Sequence, residues 1–182
     1  MNQGKISVRY SRALFSSATE KRLIDKVYND MIYISEITAL PEMKELLNSP
    51  IIVPSKKKEI IHNVTAGKIQ PLTLSLIDLA IKNGREAFLP GIAREFIHQT
   101  RKSQGITESV LTTAVKVDDK IRKQITDLLT GLFKTKVDLR EVVDKDIIGG
   151  FILRVEDNYI NASIKNKLRK IEKELKGHSL SA

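Results

Sequence analysis

The chain has 182 residues, a formal net charge of +9 and a pI near 9.7. That length allows one good core or two small ones, and a hydrophobic fraction of 41% with 29% charged residues is ordinary for a soluble globular protein. The absence of Cys excludes disulfides, thiolate metal sites and thiol catalysis. No apolar run approaches the roughly 18–20 residues that span a bilayer. The N-terminus lacks the apolar stretch of a secretory signal, so a cytosolic or organelle-interior protein is expected. The excess of cations favours acidic partners, nucleic acid foremost, but a solvated basic surface accounts for it equally well.

Ile6, Tyr10, Ala13, Leu14 and Ser17 fall at helical spacing and predict a first short amphipathic helix, with Ser7, Ser11 and Ala18 on its other side. A second helix is predicted from about Glu20 to Leu40, carried by Leu23, Ile24, Val27, Tyr28, Met31, Ile34 and Thr38. Pro41 ends it, and a short turn of helix over Glu42 to Leu47 precedes the break at Asn48-Ser49-Pro50. The next helix opens at Pro54-Ser55 with Ser55 as its N-cap, turns Ile60, Ile61 and Val64 inward and stops at Gly67. Pro71 then starts a helix that is apolar almost all round, through Leu72, Leu74, Leu76, Ile77, Leu79, Ala80 and Ile81, until Asn83-Gly84. Such a helix belongs in the middle of a bundle. A last helix spans about Arg85 to Ser103 with Leu89, Ile92, Ala93, Phe96 and Thr100 inward, and Pro90 falls early enough to be tolerated. Residues 1–104 therefore read as a six-helix bundle with short connections.

The pattern changes at Gln104-Gly105. Ile106 to Val115 alternates and is rich in Thr and Val, which predicts a strand. Asp118-Asp119 is read as the cap of a helix carrying Ile121, Ile125, Leu128, Leu129 and Leu132. Thr135 to Val143 is again strand-like. Gly149-Gly150 opens a further strand, Phe151 to Val155, and the glycine pair marks a bulge or a close backbone approach. Glu156-Asp157-Asn158 reads as a turn, Tyr159-Ile160 as the return, and Asn161 or Ser163 as cap of a final helix with Ile164, Leu168, Ile171 and Leu175 in one row up to Gly177. Residues 105–182 thus form a small mixed α/β domain, and the whole chain is α+β.

No catalytic constellation emerges. His62, His98 and His178 stand on different elements without a second ligand at metal spacing. Gly67-Lys68 is not a phosphate loop, because His62 stands where the motif needs Gly and Ile69 where it needs Ser or Thr. Neither a cofactor nor a metal is expected. Lys56-Lys57-Lys58 sits in the first turn of a helix, where cations oppose the dipole, and reads as a solvated triplet or a partner contact. Lys165, Lys167, Arg169, Lys170, Lys173 and Lys176 surround the apolar row of the final helix, which could grip phosphates or an acidic partner helix. A basic RNA-binding protein using the second half is the alternative reading, weakened by the shortage of interleaved aromatics beyond Tyr159.

Three features together resemble one family. Val8-Arg9-Tyr10-Ser11-Arg12-Ala13-Leu14-Phe15 resembles the Arg-Tyr-Ala-x-Ala-Leu-aromatic opening of the delta subunits of the F-type ATP synthase, whose mitochondrial counterpart is the oligomycin-sensitivity-conferring protein. A helical half followed by a smaller mixed domain is their arrangement. Ile148 to Arg154 and then Ser163 to Leu168 resemble their C-terminal signature, with Asn161 in place of a common Asp and Glu156 in place of a frequent Gly. The resemblance implies a non-catalytic peripheral-stalk subunit that joins the catalytic head to the b-type stalk, so that proton-driven rotation is coupled to ATP synthesis. It implies further that an alpha-subunit N-terminal helix docks between the first and fifth helices, on Tyr10, Ala13, Leu14, Leu76, Leu79, Ala80 and Asn83. The C-terminal domain would take the end of the b-type subunit, with Phe151, Ile164, Leu168, Ile171 and Leu175 as candidates shared between core and interface. No nucleic-acid partner is then expected. The location implied is the cytoplasmic face of a bacterial inner membrane, reached only through the complex.

Overall fold

The computed structural model describes residues 3–156 and 158–178, without the side chains of residue 3 and of residues 173–178. The chain divides into two compact units, Met1–Ser103 and Gln104–Ala182. Among the described residues it is α+β, with eight α-helices and one four-stranded mixed sheet.

The first unit contains α1 (Gln3–Glu20), α2 (Ile24–Ile37), α3 (Pro41–Asn48), α4 (Pro54–Thr65), α5 (Pro71–Lys82) and, after a short 3₁₀ turn, α6 (Leu89–Ser103). α1 runs further than its apolar spacing suggested, and the second helix begins only at Ile24. The break is made by Arg22 at φ 55°. Its N–H donates to the Thr19 carbonyl at 3.1 Å and the Leu23 N–H to that of Ala18 at 2.8 Å, the C-terminal reversal that glycine usually makes. α3, α4 and α5 each begin on a proline, whose fixed φ suits the first turn and whose missing N–H costs nothing there. Ser55 consequently lies inside the first turn of α4. Extended Val53 holds the cap position, contrary to the sequence expectation.

α6 is the spine of this unit. Leu89, Ile92, Ala93, Phe96 and Thr100 are all buried, packed among Leu14 and Ala18 of α1, Val27, Met31 and Ile34 of α2, and Ile77 and Ala80 of α5. Each large aliphatic or aromatic side chain removed from water contributes roughly 1.5–3 kcal/mol. Two buried charges fix the shorter helices. The Asp30 carboxylate, on α2, accepts from the Gln70 N–H at 2.8 Å and the Thr73 hydroxyl at 2.6 Å, so it caps α5 from another helix. Lys57, 4% exposed, donates to Glu86 at 2.7 Å and to the Leu47 carbonyl at 3.1 Å, which ties α4 to the end of α3 and to the turn before α6. Of the lysine triplet only Lys57 is buried; Lys56 and Lys58 are exposed and pair with Glu59 and Asp78.

The second unit contains β1 (Ile106–Thr113), α7 (Asp119–Phe133), β2 (Lys136–Val143), β3 (Phe151–Val155), β4 (Asn158–Asn161) and α8 (Ile164–His178). The sheet order is β2-β1-β3-β4, with β1 parallel to β2 and antiparallel to β3. Leu111, Leu139, Leu153 and Val155 of the strands and Leu129 of α7 make its core. Asp118 stands at the N-cap of α7, but its carboxylate makes no capping bond. α7 buries less than its spacing suggested: Ile125 and Phe133 join Leu129 on the sheet, while Ile121, Leu128 and Leu132 are exposed. Gly150, at φ 74°, allows a backbone crossing, since a Cβ there would overlap the Ala162 carbonyl. Beyond the crossing, the Ser163 hydroxyl accepts from the Asn166 N–H at 3.2 Å and caps α8, and Asn161 in turn accepts from the Ser163 N–H and hydroxyl.

Candidate functional site

The apolar excess of α5 has a geometric outcome. Thr73, Leu76, Ile77, Ala80 and Ile81 are buried, and Leu79 on the remaining side is 48% exposed. Leu79 stands on the wall of an open cleft of about 530 Å³ between α1 and α5, lined by Lys5, Ile6, Arg9, Tyr10, Ala13, Leu76, Leu79, Asn83 and Arg85. The Asn83 amide donates to the Tyr10 hydroxyl at 3.0 Å and joins the two helices at one end of the cleft.

The end of α5 shapes that end of the cleft. Gly84, at φ 63°, donates to the Ile81 carbonyl, and the Arg85 N–H donates to that of Ala80 at 2.7 Å. This reversal delivers Arg85 to the cleft beside Lys5 and Arg9 of α1. Three cations and no carboxylate line it, so its field is positive around an apolar floor.

Of the residues expected at a docking site, Tyr10, Ala13, Leu76, Leu79 and Asn83 line the cleft. Leu14 and Ala80 do not: both are buried in the core and support the wall from behind. An Ala80→Arg substitution would therefore disturb the fold and not only the cleft, because a guanidinium has no room at a fully buried Cβ. Sequence reasoning passed over Lys5, Ile6, Arg9 and Arg85. The signal was present in α1, where Ile6, Arg9, Tyr10 and Ala13 share one helical face, but Arg85 reaches the cleft only through the reversal at Gly84.

A charged cluster occupies the α4 side of α5. Asp78 accepts from Lys58 at 2.8 Å and lies 2.7 Å from His62 Nε2. Partial burial works to raise the Asp78 carboxyl, but the hydrogen bonds and charges of Lys58 and His62 outweigh it and hold the group below its ordinary value. Among the described residues no group of His, Asp and Glu is arranged to hold a metal ion.

In the second unit Phe151, Ile164, Leu168 and Ile171 are all exposed on their outer sides, at 41–54%. Leu168 and Ile171 line a shallow cleft with Ile148, Lys165, Arg169 and Glu172. The side chain of Leu175 lies outside the described residues, as do those of Lys173, Lys176 and His178.

One unit thus has an open apolar cleft between two helices, and the other leaves an apolar row bare on its last helix. The chain belongs to the ATP synthase delta (OSCP) subunit family, whose model matches residues 6–175. It is 33% identical over 180 residues to the ATP synthase subunit delta of Christiangramia forsetii, covering 98% of this chain and 97% of that one. It is 34% identical over 172 residues to the subunit delta of Parabacteroides distasonis, at 94% and 96% coverage. The fold is shared with a chain in the cryo-EM structure of the Toxoplasma gondii mitochondrial ATP synthase hexamer, with a TM-score of 0.76 at 21% identity over 96% of this chain and 97% of that one. The protein is accordingly a non-catalytic, peripheral-stalk subunit of an ATP synthase. The RNA-binding alternative has no support from the family or its members. Among the described residues no helix is long and apolar enough to cross a membrane.

Proposed function

We propose that the cleft between α1 and α5 seats the N-terminal helix of an alpha subunit, with Tyr10, Ala13, Leu76, Leu79 and Asn83 in contact and Leu14 and Ala80 holding the wall in place. In this reading residues 1–104 act as a six-helix bundle that grips the catalytic head, and residues 105–182 take the C-terminal end of the b-type stalk on Phe151, Ile164, Leu168, Ile171 and Leu175. The assembly lies on the cytoplasmic face of a bacterial inner membrane. The observation that carries the proposal is Leu79: a leucine about half exposed, on the wall of an apolar cleft ringed by Lys5, Arg9 and Arg85.

The mechanical task is a joint that stays closed under rotor torque. A docked helix that buries four or five large aliphatic residues gains roughly 1.5–3 kcal/mol for each. That gain outweighs association and ordering costs of about 4–15 kcal/mol only when most of the residues are used. Attachment at both units then raises the effective concentration of each end at the other. Slow dissociation is the property that matters.

The test is reconstitution. Membranes stripped of this subunit should lose proton-driven ATP synthesis and regain it on addition of the full chain. Restoration by a chain whose cleft is closed with Ala13→Trp, equal to that by wild type, would contradict the proposal.

A further inference from the structure

Ile148 is a β-branched residue held at φ 68° and ψ −42°, a positive-φ conformation that such side chains rarely occupy. Its neighbour Ile147 is buried, but Ile148 itself is 63% exposed. A strained backbone that buries nothing is poorly explained by folding, and strain of this kind collects where a side chain is held ready for a ligand. The following residues explain how the position is enforced. Gly150 lets the backbone of residues 162–163 cross at a distance no Cβ would permit, and the Ile164 N–H donates to the Gly149 carbonyl at 2.9 Å. The start of α8 is thereby pinned to the segment bearing Ile148, and Ile148 enters the same cleft of about 570 Å³ as Leu168 and Ile171.

The flanks of that cleft carry a sign. Lys165 and Arg169 line it against a single carboxylate, Glu172, and Lys167 and Lys170 are exposed on the same helix. A basic partner helix would be repelled, and a neutral one would leave these cations without an electrostatic gain.

We infer that Ile148 is a docking residue of the second unit, presented by a strained backbone to an amphipathic helix whose apolar row is flanked by carboxylates. The inference rests on the reading that this unit takes the b-type stalk, and it adds both a contact residue and the chemistry of the segment bound. Asn lacks the β-branch that makes positive φ most costly, and Gly has no Cβ to strain. Ile148→Asn and Ile148→Gly should therefore keep the thermal midpoint of the full chain at or above that of wild type.

The experiment measures binding of the soluble C-terminal segment of the b-type subunit from the same source to the full-length chain, with circular dichroism melts alongside. Both variants should weaken binding about tenfold while folding as wild type does. Lys165→Glu/Arg169→Glu should weaken it further and flatten its salt dependence. Affinity within twofold of wild type in the Ile148 variants would overturn the inference while leaving the stalk reading intact. A lowered midpoint in both would overturn it too, because Ile148 would then be a packing residue. Unchanged affinity in the charge-reversed variant would overturn the acidic assignment. If the segment fails to bind wild type at all, the stalk reading falls first and this inference with it.

Discussion

Replacing Leu79 by Ala removes the most exposed large aliphatic side chain on the wall of the α1–α5 cleft. Full burial of a leucine is worth roughly 1.5–3 kcal/mol. In the free chain 48% of Leu79 still meets water, so about half of that sum, roughly 1 kcal/mol, remains to be gained on docking. Ala keeps only the Cβ, and the predicted loss is therefore about fivefold in affinity. The assay is titration of a labelled alpha N-terminal peptide with the full-length chain at fixed salt. Leu79 also borders a second cleft on the α4 side, with Pro54, Ser55, Lys58 and Lys82. Lys82→Ala, which touches only that second cleft, should leave the affinity unchanged. Equal affinity for wild type and Leu79→Ala, or a larger loss in Lys82→Ala, would refute the reasoning. Ala80→Arg cannot serve as the test, since its fully buried site predicts loss of the folded unit whatever the cleft binds.

Removing Lys57 alone strands the largely buried Glu86 carboxylate, so Lys57→Met should cost about 3 kcal/mol in urea unfolding, and Lys57→Met/Glu86→Leu should recover most of it. Asp30→Ala uncaps α5 and leaves the buried Thr73 hydroxyl and the Gln70 N–H without their acceptor, a loss of about 1–3 kcal/mol that Asp30→Asn should reduce. Because Lys58 and His62 lower the Asp78 carboxyl in the folded state, its contribution is fully present above the ordinary value of about 3.8 and is lost as pH falls through the folded one. The stability of Asp78→Asn should therefore fall less steeply than that of wild type below about pH 4, measured by acid titration of the unfolding midpoint. Gly131→Ala, in the last turn of α7 with open space around the new Cβ, should stabilise by up to about 1 kcal/mol, whereas Gly150→Ala, which drives a Cβ into the Ala162 carbonyl, should destabilise strongly.

Much of the fold was legible because single-element patterns and their stops are local. The spacing of Leu89, Ile92, Ala93, Phe96 and Thr100 names the buried face of α6 outright, and Pro71 and Asn83-Gly84 bracket α5. What escaped depended on partners distant in sequence. The α1–α2 break uses Arg22 where a glycine would have announced it. Lys57 is buried because Glu86, 29 residues away, faces it, and a lysine triplet alone shows no such pairing. On α7 the apolar row is continuous in sequence, but the sheet accepts only the Ile125, Leu129 and Phe133 side. In the cleft, Tyr10, Ala13, Leu76, Leu79 and Asn83 were named through the family resemblance. Leu14 and Ala80 came with the same resemblance, and spacing along a helix does not separate the side facing the core from the side beside it. Arg85 was missed because a chain reversal, not helical periodicity, carries it there.

The central claim is that the alpha N-terminal helix lies in the cleft between α1 and α5. The chain contains no Cys, so a single introduced thiol reports one position. Leu79→Cys should form a disulfide-linked product with a Cys placed in the apolar row of the alpha N-terminus, in assembled ATP synthase under mild oxidation, while Val64→Cys, partly exposed on α4, should not. A product from Val64→Cys, with none from Leu79→Cys, would contradict the account.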